Sequence, residues 1–166
     1  MAGIISLRRF AENEYHQFFR CYIPDSLVSA PFEYDREQIS RSYFYNYSGM
    51  QKNYLHLGVF EDERPVGAFQ LKRIDEDKKK CEFGIILLDE ETRCRGIGTA
   101  AVMEGIRIAS WMFGIETIIG DTMGRNLRMR RIFDKLGFNL VETVPDAFTL
   151  FNGEKDDRLV YEKKLV

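Results

Sequence analysis

The densest concentration of chemically useful residues in this 166-residue chain is Arg93-Cys94-Arg95-Gly96-Ile97-Gly98-Thr99-Ala100-Ala101. Two glycines let a backbone come close to a ligand. If a helix opens there, its first N–H groups point outward unpaired and its dipole adds partial positive charge. Arg93 and Arg95 add two full charges. Together these features suit a phosphate or pyrophosphate. The same residues also suit an ordinary glycine-containing turn between a strand and a helix.

Known nucleotide motifs narrow the choice. A P-loop is excluded, because Gly98 is followed by Thr99 and not by Lys with Ser or Thr. Gly96-x-Gly98-x-x-Ala101, with Asp121 downstream, nominally matches the dinucleotide fingerprint. In that fingerprint the first glycine ends its strand directly, whereas here Asp89 to Arg95 intervene. A second basic run, Arg125, Arg128, Arg130 and Arg131, suits either a phosphate or a solvated helix face. It lacks the interleaved aromatics of a nucleic-acid surface. Cys21, Cys81 and Cys94 form no Cys-x-x-Cys, and His16 and His56 lie forty residues apart, so no metal site is expected. Reduced thiols point to the cytoplasm.

These residues need a scaffold. Ile4 to Phe10 reads as a short strand, followed by a helix with Tyr15, Phe18, Phe19 and Tyr22 on one face. Pro24 and Pro31 bracket a loop, and Asp35 with Gln38 opens a second helix. Tyr54 to Phe60 and Val66 to Ile74 form a hairpin. Glu82 to Leu88 contains the apolar run Ile85-Ile86-Leu87-Leu88, the pattern of a strand covered on both faces. The glycine loop leads into a helix ending near Phe113, and Ile115 to Ile119 is the next strand. Asn126 to Leu136 is a basic amphipathic helix that stops at Gly137. Phe138 to Val144 is a strand, and Asn152-Gly153 marks a hairpin between Phe148 to Phe151 and Arg158 to Leu165. The order describes one mixed α/β (α+β) domain over residues 1–166. Its central sheet has six to seven strands flanked by about four helices.

In this setting the residues resemble a known family. Arg93-x-x-Gly96-x-Gly98 is similar to the Arg/Gln-x-x-Gly-x-Gly/Ala signature of the GNAT superfamily of acetyl-CoA-dependent N-acetyltransferases. Glu82-Phe83-Gly84-Ile85-Ile86-Leu87 precedes it, and Asn126…Phe133-Asp134-Lys135-Leu136-Gly137-Phe138 follows. There the family typically reads Asn…Leu-Tyr-Glu-Lys-x-Gly-Phe. The resemblance spans residues 55 to 165, and the first 50 residues match only in their helix–helix layout. The tail from Phe148 to Leu165 looks most like the branch holding ribosomal-protein N-terminal and spermidine acetyltransferases.

The resemblance implies roles. The backbone of Ile86, Leu87 and Leu88 would pair with the pantetheine amides of acetyl-CoA, where this strand splays from the one beginning at Ile115. Arg93, Cys94, Arg95, Gly96, Ile97, Gly98 and Thr99 would hold the pyrophosphate. Asn126 would bond the pantetheine arm, and the arginines after it would meet the 3′-phosphate. Glu82 aligns with a strand carboxylate that serves as base, directly or through water. Phe133 stands beside the cofactor where the family's usual acid is a tyrosine. A phenylalanine cannot protonate a leaving thiolate, although a thiol with a pKa near ~8.5 is already a fair leaving group.

The acceptor would lie between the N-terminal helices and the sheet. Phe32, Tyr34, Tyr43, Phe44, Tyr45 and Tyr47, with Glu33, Asp35 and Glu37, suit a cationic amine or simply pack as helix faces. The expected activity is transfer of acetyl to a primary amine of a small molecule or peptide, by direct attack in a ternary complex. The rivals are a non-catalytic acyl-CoA-binding or protein-interaction module, motivated by Phe133, and a dinucleotide-binding oxidoreductase. With 24 Lys+Arg against 26 Asp+Glu, no general nucleic-acid or membrane-surface role is expected. No apolar run approaches the ~20 residues of a membrane span. The N-terminal residues lack the order of a secretory signal. A homodimer stays open.

Overall fold

The computed structural model describes residues 3–166. Among them the elements run β1 (Ile5–Arg8), α1 (Glu12–Cys21), α2 (Arg36–Tyr47), β2 (Leu55–Glu61), β3 (Arg64–Asp75), β4 (Lys80–Leu87) and α3 (Ile97–Phe113). They continue with β5 (Thr117–Met123), α4 (Leu127–Lys135), β6 (Asn139–Thr149) and β7 (Lys155–Lys164). The strands form one sheet in the order β1-β2-β3-β4-β5-β7-β6. Every neighbouring pair is antiparallel except β4 and β5. A parallel pair needs a long crossover, and α3 supplies it. The seven strands and four helices among the described residues are the mixed α/β architecture that the resemblance implied.

Period-two alternation along the strands feeds two apolar layers. Val59, Phe69, Leu71, Phe83 and Ile118 pack with Val102 and Ala109 of α3 and Phe133 of α4. On the other face Phe10, Phe60, Ala68 and Leu88 meet Tyr15 and Phe18 of α1 and Ile39 of α2. Helix α3 lies so close to the sheet that a Cβ on Gly105 would sit 2.1 Å from the Phe69 ring. At the start of α2, the Asp35 side chain accepts the Gln38 N–H at 3.0 Å, the cap its sequence position called for.

Two elements differ from the sequence reading. In β4, Cys81 and Phe83 are buried while Ile86 is 37 % exposed, so only one face of this apolar strand is fully covered. Strand β6 runs through Pro145 without a break, where the pattern suggested a strand ending at Val144. Register shifts at Leu140/Glu142 and Val144/Phe148 accommodate it. An edge strand tolerates proline because its missing N–H faces no partner. No helix among the described residues is long and apolar enough to cross a membrane.

Candidate active site

Strands β4 and β5 are paired only from Lys80↔Thr117 to Glu82↔Ile119. Beyond that, β4 stays on β3 as far as Leu87 while β5 follows β7 to Met123. The strands part, and one edge of β4 is left facing a gap. The Leu88 N–H donates to the Val66 carbonyl at 2.8 Å, and the Leu88 carbonyl accepts from the Ile23 N–H at 2.8 Å. Leu88, expected to offer its backbone to a pantetheine arm, has both groups already bonded. Pairs alternate along an antiparallel ladder, so the Ile86 backbone also turns toward β3. The backbones of Ile85 and Leu87 turn toward the gap. Of the three residues expected there, Leu87 alone turns its backbone to the gap, and its carbonyl already accepts from Arg93. Ile85 was missed because this direction depends on register.

The gap opens into a cleft of about 410 Å³ between the N-terminus of α3, helix α4 and the segment joining α1 to α2. Cys94, Gly96, Gly98 and Thr99 line it. Gly96 caps α3 at φ 82, a left-handed conformation that a side chain would strain. The amides of Ile97, Gly98 and Thr99 have no helical acceptor, so this end of α3 can take an anion.

Two residues of the expected phosphate loop turn away. Ile97 is fully buried in the core. Arg95 pairs with Glu61 at 2.8 Å. Arg93 reaches the cleft, but its guanidinium donates to the carbonyls of Ile23 at 2.7 Å and Leu87 at 3.1 Å. Both bonds come from Nη2 and clamp the α1–α2 segment to the end of β4, while Nη1 lies 3.6 Å from Glu90.

Helix α4 supplies the other wall. Asn126 lines the cleft and caps the helix, its Oδ1 accepting the Met129 N–H at 3.2 Å. Its NH2 group remains as a donor for a ligand. Arg128, Arg131 and Lys135 follow at helical spacing on the same wall. Arg128 also pairs with Asp25 at 3.1 Å and with Glu90. The other two arginines of the basic run are occupied elsewhere. Arg125 binds Asp156 at 3.2 Å and Arg130 donates to the Gly124 carbonyl at 2.9 Å. Tyr22, Asp25 and Ser29 close the cleft from the α1–α2 segment. Sequence reasoning marked this segment only as a loop, because nothing local says where it docks.

Phe133 is not beside the cleft. It is fully buried, stacked on Tyr161 with ring centroids 4.2 Å apart. Glu82 stands on the opposite sheet face, at the last rung before β4 and β5 part, and pairs with Arg73. Nearby Arg158 donates to Asp121 at 2.7 Å. That bond, reinforced by the fields of Glu82 and Glu142, raises the Arg158 pKa. This face therefore carries three carboxylates around one guanidinium.

Most of the aromatics considered for the acceptor are packing residues. Phe32, Tyr34, Tyr43 and Tyr47 join the α1–α2 core, whereas Phe44 and Tyr45 are exposed. Glu37 pairs with Arg41 at 3.1 Å on α2, and Glu33 is exposed. A larger hollow of about 810 Å³, lined by Asn53, Arg73, Asp77 and Phe113 among others, lies at the other end of α3, away from the glycine loop. Among the described residues no group of three or more His, Cys, Asp or Glu could hold a metal.

The family model of the acetyltransferase (GNAT) domain matches residues 5–139. Comparison with curated proteins finds no match. Solved structures share the fold. A crystallised protein named a probable acetyltransferase is 19 % identical, with 99 % of this chain and 97 % of that one covered and a TM-score of 0.78. Mutant forms of the spermidine/spermine N-acetyltransferase SpeG from Vibrio cholerae are 15 % identical, covering 97 % and 95 %, with a TM-score of 0.76. A dodecameric spermidine N-acetyltransferase from Vibrio cholerae is 16 % identical, covering 96 % and 93 %, with a TM-score of 0.75. At such identities the structural likeness carries the fold alone. The family rests on the domain match, which spans most of the chain: this protein belongs to the GNAT acetyltransferase family and is an acyltransferase.

Proposed function

We propose that the chain transfers acetyl from acetyl-CoA to a primary amine by direct attack in a ternary complex. The observation that carries this reading is the parting of β4 and β5 after Glu82 and Ile119, with the gap running into the α3 N-terminus. The residues fit acetyl-CoA. The free amides of Gly98 and Thr99 would take the pyrophosphate, and Leu87 and Ile85 would pair with the pantetheine amides. Arg128, Arg131 and Lys135 would face the 3′-phosphate, with Asn126 donating to the arm between. Bound acetyl-CoA supplies the thioester. An amine nitrogen bonds to the acetyl carbon, the C–S bond breaks, and the proton lost by nitrogen passes to Glu82, directly or through water. Phe133, buried away from the cleft, supplies no acid, so the sulfur leaves as thiolate.

Polyamines lead the candidate acceptors. Two structural relatives are named for spermidine, and the sheet face at Glu82 also bears Asp121 and Glu142. Calorimetry with acetyl-CoA and with NAD, followed by thiol release with polyamines, free peptide N-termini and amino sugars, tests the reading. Binding of acetyl-CoA but not NAD, with turnover on one amine class, is expected. Binding without turnover on any amine would leave a non-catalytic acyl-CoA-binding module, the second reading, which the phenylalanine in the family's tyrosine position motivates.

A further inference from the structure

Strand β3 breaks its register with β4 beside Glu82. Lys72 pairs with Glu82 and Asp75 with Lys80, so Arg73 and Ile74 together stand against the single residue Cys81. Such a bulge re-aims a side chain. Ile74 turns into the core, its N–H donating to the Asn53 carbonyl at 3.0 Å. Arg73 adopts φ 49, the left-handed region that residues with a Cβ seldom occupy. From there its guanidinium reaches Oε2 of Glu82 and leaves Oε1 free. Lys72 lies directly across from Glu82, yet the ion pair is made by Arg73.

Burial of Ile74 accounts for the bulge but not for the contact between Arg73 and Glu82. The Arg73 side chain is 71 % exposed, and exposed ion pairs contribute little to folding. Nothing in the packing of Ile74 requires an arginine at position 73 or its reach to this one carboxylate. That carboxylate stands at the mouth of the gap where the thioester and amine would meet.

We infer that Arg73 is a positioning residue for Glu82. Its guanidinium holds one carboxylate oxygen so that the other faces the incoming amine. The inference rests on the proposed role of Glu82 as base.

The experiment uses the full chain, acetyl-CoA and whichever amine turns over in the acceptor panel. Glu82→Gln is expected to lower kcat by about 100-fold, the usual scale of general-base catalysis. Arg73→Gly, which suits the left-handed backbone, is expected to lower kcat roughly tenfold through misplacement of the base, with KM for acetyl-CoA unchanged. Arg73→Lys should regain most of the loss. The double variant should be no worse than Glu82→Gln alone, because Arg73 acts only through Glu82. Arg73→Gln serves as the second probe if the glycine variant loses its thermal transition.

If Glu82→Gln is impaired while both Arg73→Gly and Arg73→Gln keep full kcat, the positioning role is overturned and the base stands. Additive losses in the double variant also overturn it. If Glu82→Gln keeps full activity, the base assignment itself fails. A panel with no turnover on any amine fails the N-acetyltransferase reading and this inference with it.

Discussion

Phe133 and Tyr161 lie nearly parallel, and the outer end of the Phe133 ring abuts Gly120, where a Cβ would come within 2.8 Å of it. A hydroxyl added at that end would enter a packed, apolar space. Phe133→Tyr is therefore expected to destabilise the fold by about 1–3 kcal/mol, the range for a buried unpaired polar group, with no gain in turnover. Urea unfolding and turnover measured on the same preparation check this. A faster enzyme of unchanged stability would show that the ring end reaches the reaction centre. From sequence, the phenylalanine in the family's tyrosine position was plain. Its depth was not, because burial depends on what α4 packs against.

At the scale of elements, the α1–α2 segment is held to the sheet end by few bonds. The Ile23 N–H donates to Leu88, Arg93 donates to the Ile23 carbonyl, and Asp25 pairs with Arg128. Arg93→Ala removes the clamp, costing about 1.5–3 kcal/mol for hydrogen bonds to a charged donor. It should weaken acetyl-CoA binding by loosening this wall. That loss is expected to differ little between low and high salt, since the short bonds to two carbonyls outweigh the longer 3.6 Å pairing with exposed Glu90. Calorimetry at two ionic strengths, with hydrogen exchange over residues 22–29, measures both effects. A loss confined to low salt would instead make Arg93 a direct phosphate ligand. The positive charge near the glycines was legible in the sequence, but its two carbonyl partners come from segments far apart in the chain.

The whole molecule couples its helical layer to pH through His56. This side chain lies in the aromatic layer between α1, α2 and the sheet, with Nδ1 2.8 Å from the Tyr47 hydroxyl. Burial pushes its pKa down to about 4 from the ordinary 6.5. Protonation would place a charge inside this buried aromatic layer. Between about pH 6.5 and 4 the unfolded chain binds a proton that the folded one refuses. Stability therefore rises with pH across this window and falls by up to about 3 kcal/mol on acidification through it. Unfolding free energies from pH 4 to 7 should show this slope, and His56→Gln should lose most of it. A slope unchanged in the variant would assign the acid sensitivity to other groups.

Local and periodic properties were settled by the sequence alone. The apolar alternation, the Asp35 cap, the glycines at the α3 entry and Gly137 after α4 each act within a few residues. They suffice for the order of elements and for a helix N-terminus opened by glycines. The Arg93-x-x-Gly96-x-Gly98 block, together with the Asn126 to Phe138 block that follows it, pointed to the family. Tertiary structure decided which of these residues face one another. The register of β4 on β3 chose Ile85 and Leu87 over Ile86 and Leu88, and the parting of β4 from β5 made the gap. The docking of α4 buried Phe133 while turning Arg128 and Arg131 to the cleft. The bulge in β3 set Arg73 against Glu82. Each of these outcomes depends on contacts between segments distant in the chain, and no local preference encodes the partner of a residue.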